Sequence, residues 1–190
     1  MNNDSLNIYD KHVAFWGGQL SNFYPCEIVE NKPWKDILDD LPSSFLNKVF
    51  DDFKWNSSEQ LFMAYKAWTF SDYETFFEIC STTNPKEAKK LGRKVKNFDD
   101  ELWSEVREHF MEQAVYAKFT QNENLKKFLL QKEFDGKYFV EGSPFDGIWG
   151  VKMDWRNPDI DNPENWNGIN LLGKVINKVR EKIKIEEHGK

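Results

Sequence analysis

Cysteine and histidine are scarce in this sequence, which has 2 cysteines and 3 histidines among 190 residues. Neither Cys26 nor Cys80 lies in a sequence pattern typical of a catalytic thiol. His12, His109 and His188 are too far apart in the sequence for a metal-binding spacing with each other or with a cysteine. We therefore expect no metal, no cofactor and no nucleophile that depends on a histidine base.

Long apolar runs and glycine-rich phosphate loops are also missing. No run approaches the roughly 20 apolar residues that a membrane helix needs, so we expect no membrane partner. Gly17-Gly18 and the pair Gly142 and Gly147 fit neither the Rossmann nor the P-loop spacing, which argues against both nucleotide-binding folds. Residues 1–10 have neither the basic nor the apolar region of a secretory signal. With so few cysteines, this favours a cytoplasmic protein whose thiols are reduced.

Charge and aromatic content limit the kind of ligand. The formal net charge of −6 argues against tight, sequence-blind binding to nucleic acid, which requires a basic surface. Aromatic residues make up 16% of the chain and include 8 tryptophans, while charged residues make up 31%. Aromatic side chains in this number must be buried or used for stacking, which suits flat ligands such as nucleobases.

The chain has the length of one domain and no linker of proline, glycine and serine divides it. Apolar spacing and capping residues predict helices that begin near residues 57, 71, 84, 99, 122 and 168. Short strands are predicted near residues 13–16, 26–29, 53–55 and 138–141. We expect one or two short helices within residues 35–53, an irregular lid or mobile loop over 152–167, and a frayed tail after Ile183.

The predicted helix after residue 57 carries the strongest chemical pattern. Ser57 and Gln60 form a capping box, which places Glu59 in the first helical turn. The helix N-terminus favours the ionised carboxylate there, so Glu59 would be a base. Lys66 lies on the same helix face, roughly 10 Å further along. A capping glutamate at the surface and a lysine that extends to solvent would have the same spacing.

Two loops add candidate binding residues. In residues 19–25, Ser21 and Asn22 would place a hydroxyl and an amide beside an aromatic ring, although a turn pinned by the asparagine fits equally. In residues 142–150, Asp146 and Trp149 would supply a second acid and a stacking surface. An aspartate in a turn and a partly buried tryptophan would account for the same residues.

The residue types that remain after these exclusions are carboxylates, Lys66 and aromatic rings. They suit cleavage of a bond to an anomeric carbon, because an oxocarbenium-like transition state needs a nearby anion and the attacking water needs a base.

A series of motifs, in this order, resembles those of the NADAR family over about Phe15 to Arg180. The motifs are Ser21-Asn22-Phe23-Tyr24, Ser58-Glu59-Gln60-Leu61-Phe62 with Ala64 and Lys66, Gly92-Arg93, Ala114 with Ala117-Lys118-Phe119, Val140-Glu141, Asp146 with Trp149-Gly150, and Asn170-Leu171-Leu172-Gly173.

The resemblance implies a compact single domain over residues 1–190, mainly α with a few short β-strands. It also implies a metal-independent hydrolase of N-glycosidic bonds at a ribosyl C1. Two substrate classes are known in the family: ADP-ribose on guanine bases, and phosphorylated intermediates of riboflavin synthesis. ADP-ribosylated DNA or RNA is thus a candidate partner. A binding module for ADP-ribose or NAD derivatives without catalysis is the alternative.

The resemblance also implies roles for individual residues. The catalytic candidates are Glu59, Lys66 and Asp146, and the substrate-binding candidates are Ser21, Asn22, Phe23, Arg93, Trp149, Gly150 and Asn170. Arg93 would contact phosphate and Trp149 would stack on a ring. Lys66 would hold Glu59 ionised, bind phosphate, or attack an opened ribose aldehyde as a Schiff-base amine.

The chain departs from the family pattern at two places. Residues 35–53 resemble an insertion close to the helix of Glu59, where they would reshape the substrate entrance. Residues 151–155 lead into a long polar stretch in place of a short link rich in glycine and lysine. Both departures weaken any transfer of the exact substrate.

Overall fold

The computed structural model describes residues 4–29 and 54–189. The predicted insertion and helices within residues 35–53 lie outside these ranges, as does the first residue of the strand predicted over 53–55. Within the described ranges, no helix is both long and apolar enough to pass through a bilayer.

The fold is mainly α with a few short β-strands, as expected. Its helices in the described ranges are α1 (Ser58–Thr69), α2 (Tyr73–Ser81), α3 (Pro85–Gly92), α4 (Asp100–Gln121), α5 (Glu123–Leu129) and α6 (Leu171–His188). The side chains of Ser57, Asp72, Asn84 and Asp99 each accept a hydrogen bond from a first-turn N–H, which confirms the predicted starts of α1 to α4.

The end of α3 and the start of α6 differ from what the sequence pattern predicts. Apolar spacing predicts that α3 continues to Val95, but the helix ends at Gly92. Helix α6 begins at Leu171 instead of near Gly168, because Asn170 before it has a left-handed backbone with φ 53. A residue in that conformation cannot continue a right-handed helix.

Strands in the described ranges are β1 (Leu6–Ile8), β2 (His12–Phe15), β3 (Ile28–Val29), β4 (Lys54–Trp55) and β5 (Tyr138–Glu141). Strand β1, which the sequence pattern did not predict, pairs antiparallel with β2, and β3 pairs antiparallel with β4. Strand β2 also pairs parallel with β5, with Phe15 opposite Glu141. The loops after β2 and β5 therefore leave the sheet at the same edge.

Helix α1 is the centre of the fold and packs against α2, α3 and α4. Within it, the residues other than Lys66 and Thr69 are buried. Tyr65 stacks on Phe110 of α4 with ring centroids 4.8 Å apart. Helix α6 packs against α4 and β5 and closes the core on the sheet side. A helix buried on nearly all sides holds its first turn in a fixed position.

The C-terminal residues are more ordered in the fold than the sequence suggests. Helix α6 continues to His188, past Ile183, where we expected fraying. Tyr116 of α4 donates a hydrogen bond to Glu186 at 2.8 Å, and Lys126 of α5 pairs with Glu187 at 3.2 Å. These charged residues face partners on neighbouring helices, which sequence periodicity does not reveal.

Residues 152–167 form short 3-10 turns at Pro158–Asp161 and Pro163–Asn165. The segment is tied to the sheet, because Asp161 lies 3.0 Å from Nδ1 of His12 on β2. Trp166 also donates its indole N–H to the carbonyl of Ile160 at 2.8 Å. The structure thus shows two 3-10 turns and a contact with β2 in this stretch, which the sequence pattern did not predict.

Candidate active site

The N-terminus of α1 is fixed by its caps. Ser57 Oγ accepts the N–H of Gln60 at 3.2 Å, as the capping box predicts. The Gln60 side chain reaches back one residue further than the standard box and accepts the N–H of Asn56 at 2.8 Å. The N–H of Glu59 donates to the carbonyl of Asn22 at 3.0 Å. The first turn is thus bound to the loop that follows β2.

A cavity of about 620 Å³ opens at this helix end. Its carboxyl groups belong to Glu59, Glu141 and Asp146. Its cations belong to Lys66, Lys86, Lys89 and Arg93. Its aromatic walls are the side chains of Trp16, Phe23, Phe62, Trp103 and Trp149. Phe62 and Met63 share the cavity with Glu59 and Lys66, so the predicted common helix face exists. One cavity therefore combines acids, cations and stacking surfaces.

Glu59 has an environment that the sequence pattern did not predict. Its side chain is buried, and this desolvation raises its pKa to about 7, against the lowering effect of the Lys89 charge. The Asp146 carboxylate raises this pKa further, and Arg93 lowers it. The sequence pattern considered only the helix N-terminus, which favours the ionised form of Glu59, whereas desolvation opposes it. A carboxyl with a pKa near neutrality suits proton transfer.

Glu141, the last residue of β5, is a further carboxyl in the cavity. Burial raises its pKa to about 7, Asp146 and Glu59 raise it as well, and Lys89 opposes them. Its Oε2 atom is inaccessible to solvent and has no hydrogen-bond partner in the described part of the chain. The cavity thus holds carboxyls that disfavour each other's ionisation.

Lys66 lines the cavity, and its Nζ lies 4.1 Å from the centre of the Phe98 ring and 5.7 Å from that of Trp103. Burial lowers its pKa, and the charge of Arg93 lowers it too, while Asp100 raises it. The cations that act on the Glu59 pKa are Lys89 and Arg93. Of the three roles considered for Lys66, the stabilisation of ionised Glu59 is therefore assigned to Lys89 and Arg93.

The loop after β5 presents both of its candidate residues to the cavity. Asp146 Oδ1 accepts the N–H groups of Ile148 at 2.9 Å and Trp149 at 2.8 Å. The Trp149 ring packs edge-on against Phe62 of α1, with centroids 5.2 Å apart. One carboxylate oxygen of Asp146 thus shapes its own loop and sets the position of the tryptophan.

The loop after β2 also reaches the cavity, through Ser21, Asn22 and Phe23. Asn22 is buried; its side chain accepts a hydrogen bond from Ser58 Oγ at 3.0 Å and donates to Met111 Sδ at 3.1 Å. The Ser21 hydroxyl accepts the N–H of Phe23 at 3.2 Å. The asparagine therefore pins this turn to α1 and α4 and lines the cavity as well.

Gly150 and Asn170 occupy different places from the other candidates, since neither belongs to the described cavity lining. Asn170 is buried, donates to the carbonyl of Phe139 at 3.1 Å and accepts the N–H of Glu141 at 3.0 Å. A Cβ added to Gly150 would lie 2.8 Å from the carbonyl oxygen of Glu141. Both residues lie behind β5 and support it from outside the cavity.

Sequence reasoning passed over several lining residues. The sequence pattern indicates surface positions for Lys86 and Lys89 on a polar helix and predicts Glu141 as the last residue of a strand, yet all three line the cavity. Apolar spacing along α4 indicates a core position for Trp103, yet this residue also lines the cavity. The motif Val140-Glu141 was the one available signal for Glu141. Among residues 4–29 and 54–189, no group of three or more His, Cys, Asp or Glu side chains is arranged to hold a metal ion.

Several curated proteins are similar to this chain. It is 36% identical to Protein irg-1 of Caenorhabditis elegans over 166 residues, which covers 86% of this chain and 74% of that protein. It is 40% identical over 126 residues to an N-glycosidase of Acanthamoeba polyphaga mimivirus, covering 66% of this chain and 72% of the viral protein. The N-glycosidase YbiA of Shigella boydii is 30% identical over 133 residues, or 70% of this chain and 73% of YbiA.

The fold also matches a solved structure. The NMR structure of the Escherichia coli protein YbiA superposes with a TM-score of 0.66 at 25% identity and covers 97% of this chain and 92% of YbiA. The NADAR domain matches residues 11–184, which include the cavity residues from Trp16 to Leu172. The order of the motifs, the fold and this match agree, and the chain belongs to the NADAR family.

Proposed function

We propose that this protein is an N-glycosidase that hydrolyses the C1–N bond of a phosphorylated ribosyl substrate. The observation that carries the proposal is the cavity in which Glu59, Asp146 and Glu141 share one space with cations and aromatic rings. A sugar carbon that gains positive charge needs a carboxylate beside it, the phosphate needs the cations, and the base needs a stacking surface. Relatives named N-glycosidases support this reaction class.

Glu59 acts at the ribosyl C1, either as the base that activates water or as the anion that stabilises the transition state. Its raised pKa of about 7 leaves a useful ionised fraction at neutral pH and lets it accept a proton readily. Asp146 holds a ribose hydroxyl or the attacking water, and Trp149 stacks on a ring of the substrate.

The cations favour ADP-ribose on guanine over the smaller riboflavin intermediates as the first candidate substrate. Four cationic side chains line the cavity, Lys66, Lys86, Lys89 and Arg93, which suits two phosphates better than one. Five aromatic side chains border the same space, which suits a ligand with two bases. Hydrolysis of phosphorylated riboflavin intermediates is the second candidate, because it needs the same carboxyls and a single phosphate contact.

The role of Lys66 follows from its neighbours. Its ammonium lies within the influence of the Arg93 charge, and two cations side by side favour a phosphate between them. We therefore assign Lys66 to phosphate contact and expect Lys66→Arg to retain most of the turnover. An adduct of ribosyl mass at Lys66 after borohydride reduction during turnover would instead assign it as a Schiff-base amine.

The test is to assay ADP-ribosylated guanosine oligonucleotide and a phosphorylated riboflavin intermediate side by side. We expect release of free ADP-ribose from the first and a Glu59→Gln variant that is slower by about 10²–10⁴-fold. Glu164→Gln, an exposed glutamate in a 3-10 turn, is the matched control. Binding of ADP-ribose in calorimetry without release of product from either substrate would favour a binding module and refute the proposal.

The Glu59→Gln variant also has a predicted effect on stability that shows whether it is folded. Because burial raises the pKa of Glu59 to about 7, the folded wild type loses stability as the pH rises from the ordinary glutamate range through about 7. Glutamine does not ionise, so above pH 7 the variant should melt at a higher temperature than the wild type. A lower melting temperature would mean that lost activity reflects lost structure.

A further inference from the structure

Glu141 lines the cavity and has a buried carboxylate oxygen without a partner in the described ranges. It ends β5, lines the cavity, and its Oε2 atom is buried without a hydrogen-bond partner in the described ranges. A buried polar atom with no partner destabilises a fold by about 1–3 kcal/mol. Because Glu141 also lines the cavity, its carboxyl is a candidate for a group whose partner is the ligand.

Hydrogen bonds hold both the backbone N–H and the backbone carbonyl of Glu141. Its N–H donates to Asn170 Oδ1 at 3.0 Å, and its carbonyl accepts the N–H of Val151 at 3.1 Å. Asn170 makes this contact from a left-handed backbone with φ 53, a conformation that costs free energy for a residue other than glycine. Gly150 leaves room for the Glu141 carbonyl, since a Cβ there would lie 2.8 Å from that oxygen. Two family motif residues outside the cavity thus meet the backbone of Glu141 and fix the place from which its side chain extends.

The charges around Glu141 and Glu59 are different. Glu59 lies in the first turn of α1, where the helix N-terminus favours an anion, and the charges of Lys89 and Arg93 lower its pKa while Asp146 raises it. Glu141 lies at the end of a strand and faces the carboxyls of Glu59 and Asp146 against one cation, Lys89 of α3. The helix N-terminus and the charge of Arg93 thus favour the anion at Glu59, whereas Glu141 lies at the end of a strand.

We propose that Glu141 is the general acid of the reaction and that Asn170 is its positioning residue. The inference rests on the proposed function. As the C1–N bond breaks, its electron pair goes to the nitrogen of the base, and the Glu141 carboxyl gives its proton to that nitrogen. Water bonds to C1 and gives a proton to Glu59, so the products are the phosphorylated ribosyl group with a hydroxyl at C1 and the base with a proton on its nitrogen. Exchange with solvent then returns the proton from Glu59 and restores that of Glu141.

The first experiment measures Glu141→Gln on ribosyl substrates that the wild type cleaves and whose leaving bases differ in basicity. A general acid matters most for the most basic leaving group. The fall in kcat caused by Glu141→Gln should therefore be at least about tenfold larger for the substrate with the most basic leaving group than for the one with the least basic. The basic limb of the kcat–pH profile should also disappear. For Glu59→Gln the loss should be similar across the series, which provides the contrast.

Equal losses for Glu141→Gln across the series, or an intact basic limb, would overturn the acid role while leaving the N-glycosidase proposal standing. A wild type that cleaves none of the ribosyl substrates would instead refute the proposed function itself.

The second experiment tests Asn170. Glycine tolerates the left-handed backbone, so Asn170→Gly removes the amide without adding strain. We expect the variant to remain folded, with kcat lowered, KM little changed and the basic limb of the profile shifted. A merely structural role would lower the melting temperature and leave the pH profile of the remaining activity as in the wild type, which would overturn the positioning role.

Discussion

At the scale of single residues, Lys118 shows what the fold demands of one side chain. It is fully buried, and its Nζ donates to the carbonyl of Ser21 at 2.7 Å. Burial lowers its pKa to about 7, while the nearby Cys26 raises it. A lysine placed here supports the loop that holds Ser21 and Asn22 beside α1. The motif Ala117-Lys118-Phe119 marked this position in the sequence, but nothing in the motif showed that the amine points inward.

Replacement of Lys118 by methionine tests this environment. Between the folded pKa of about 7 and the higher value of an unfolded lysine, the unfolded chain binds a proton that the folded one lacks. The free energy of unfolding of the wild type therefore rises with pH in this window, and that of the variant lacks this rise. From about pH 6 to about pH 9 the wild type should gain on the order of 2 kcal/mol relative to the variant, measured by urea denaturation. If the difference in the free energy of unfolding between the wild type and the variant did not change with pH, the amine of Lys118 would have to reach solvent.

At the scale of elements, the start of α1 depends on two side chains of unequal weight. Ser57 caps a single N–H, that of Gln60. Gln60 is itself buried, accepts the N–H of Asn56 and donates to the carbonyls of Ile79 at 2.9 Å and Thr82 at 2.6 Å. The glutamine thus joins the N-terminus of α1 to the end of α2. The capping box was predictable because it is local, whereas the link to α2 was not.

The two capping-box variants should therefore differ in stability. Ser57→Ala loses one cap and should cost about 1 kcal/mol. Gln60→Ala leaves buried backbone groups without partners and should cost about 2–4 kcal/mol, because each unpaired group costs about 1–3 kcal/mol. Denaturant titration of both variants measures the comparison. Equal losses would mean that the contacts of Gln60 with α2 add nothing to stability.

At the scale of the whole molecule, the pairing of β2 with β5 assembles the cavity. It brings the loop at residues 16–23 next to Glu141 and the loop at 142–150, while α1 and α3 supply Glu59 and the cations. These segments are separated by more of the chain than any local pattern spans, so their meeting is a property of the tertiary structure. The packing of α6 on β5 completes the arrangement through Asn170.

Truncation of α6 tests how far this packing extends. A chain that ends at Ile183 loses the hydrogen bond between Tyr116 and Glu186 and the ion pair between Lys126 and Glu187. Both contacts lie at the surface, so the free energy of unfolding should fall by only about 1 kcal/mol. Activity should be unchanged, because the cavity lies at the other end of the helix. Thermal melting and the N-glycosidase assay measure the two effects.

A chain that ends at Val179 is the matched comparison. It also loses Arg180, which is buried and donates to the carbonyl of Leu129 at 2.9 Å and to Asp135 at 2.8 Å, together with the buried Ile183. We expect this chain to lose several times more stability, because buried apolar area and buried hydrogen bonds disappear together. Similar losses in the two truncations would show that the last turns of α6 are part of the core.

The sequence by itself determined the starts of α1 to α4, because side-chain caps and apolar spacing act over a few residues. It also determined that Glu59 and Lys66 share a helix face and, through the order of its motifs, the family. The tertiary structure alone decided the ionisation of Glu59, since desolvation depends on what covers the first turn of α1. It alone placed Glu141 and Lys89 in the cavity and Gly150 and Asn170 behind it. Burial and charge coupling arise between distant segments, so no spacing along the chain encodes them directly.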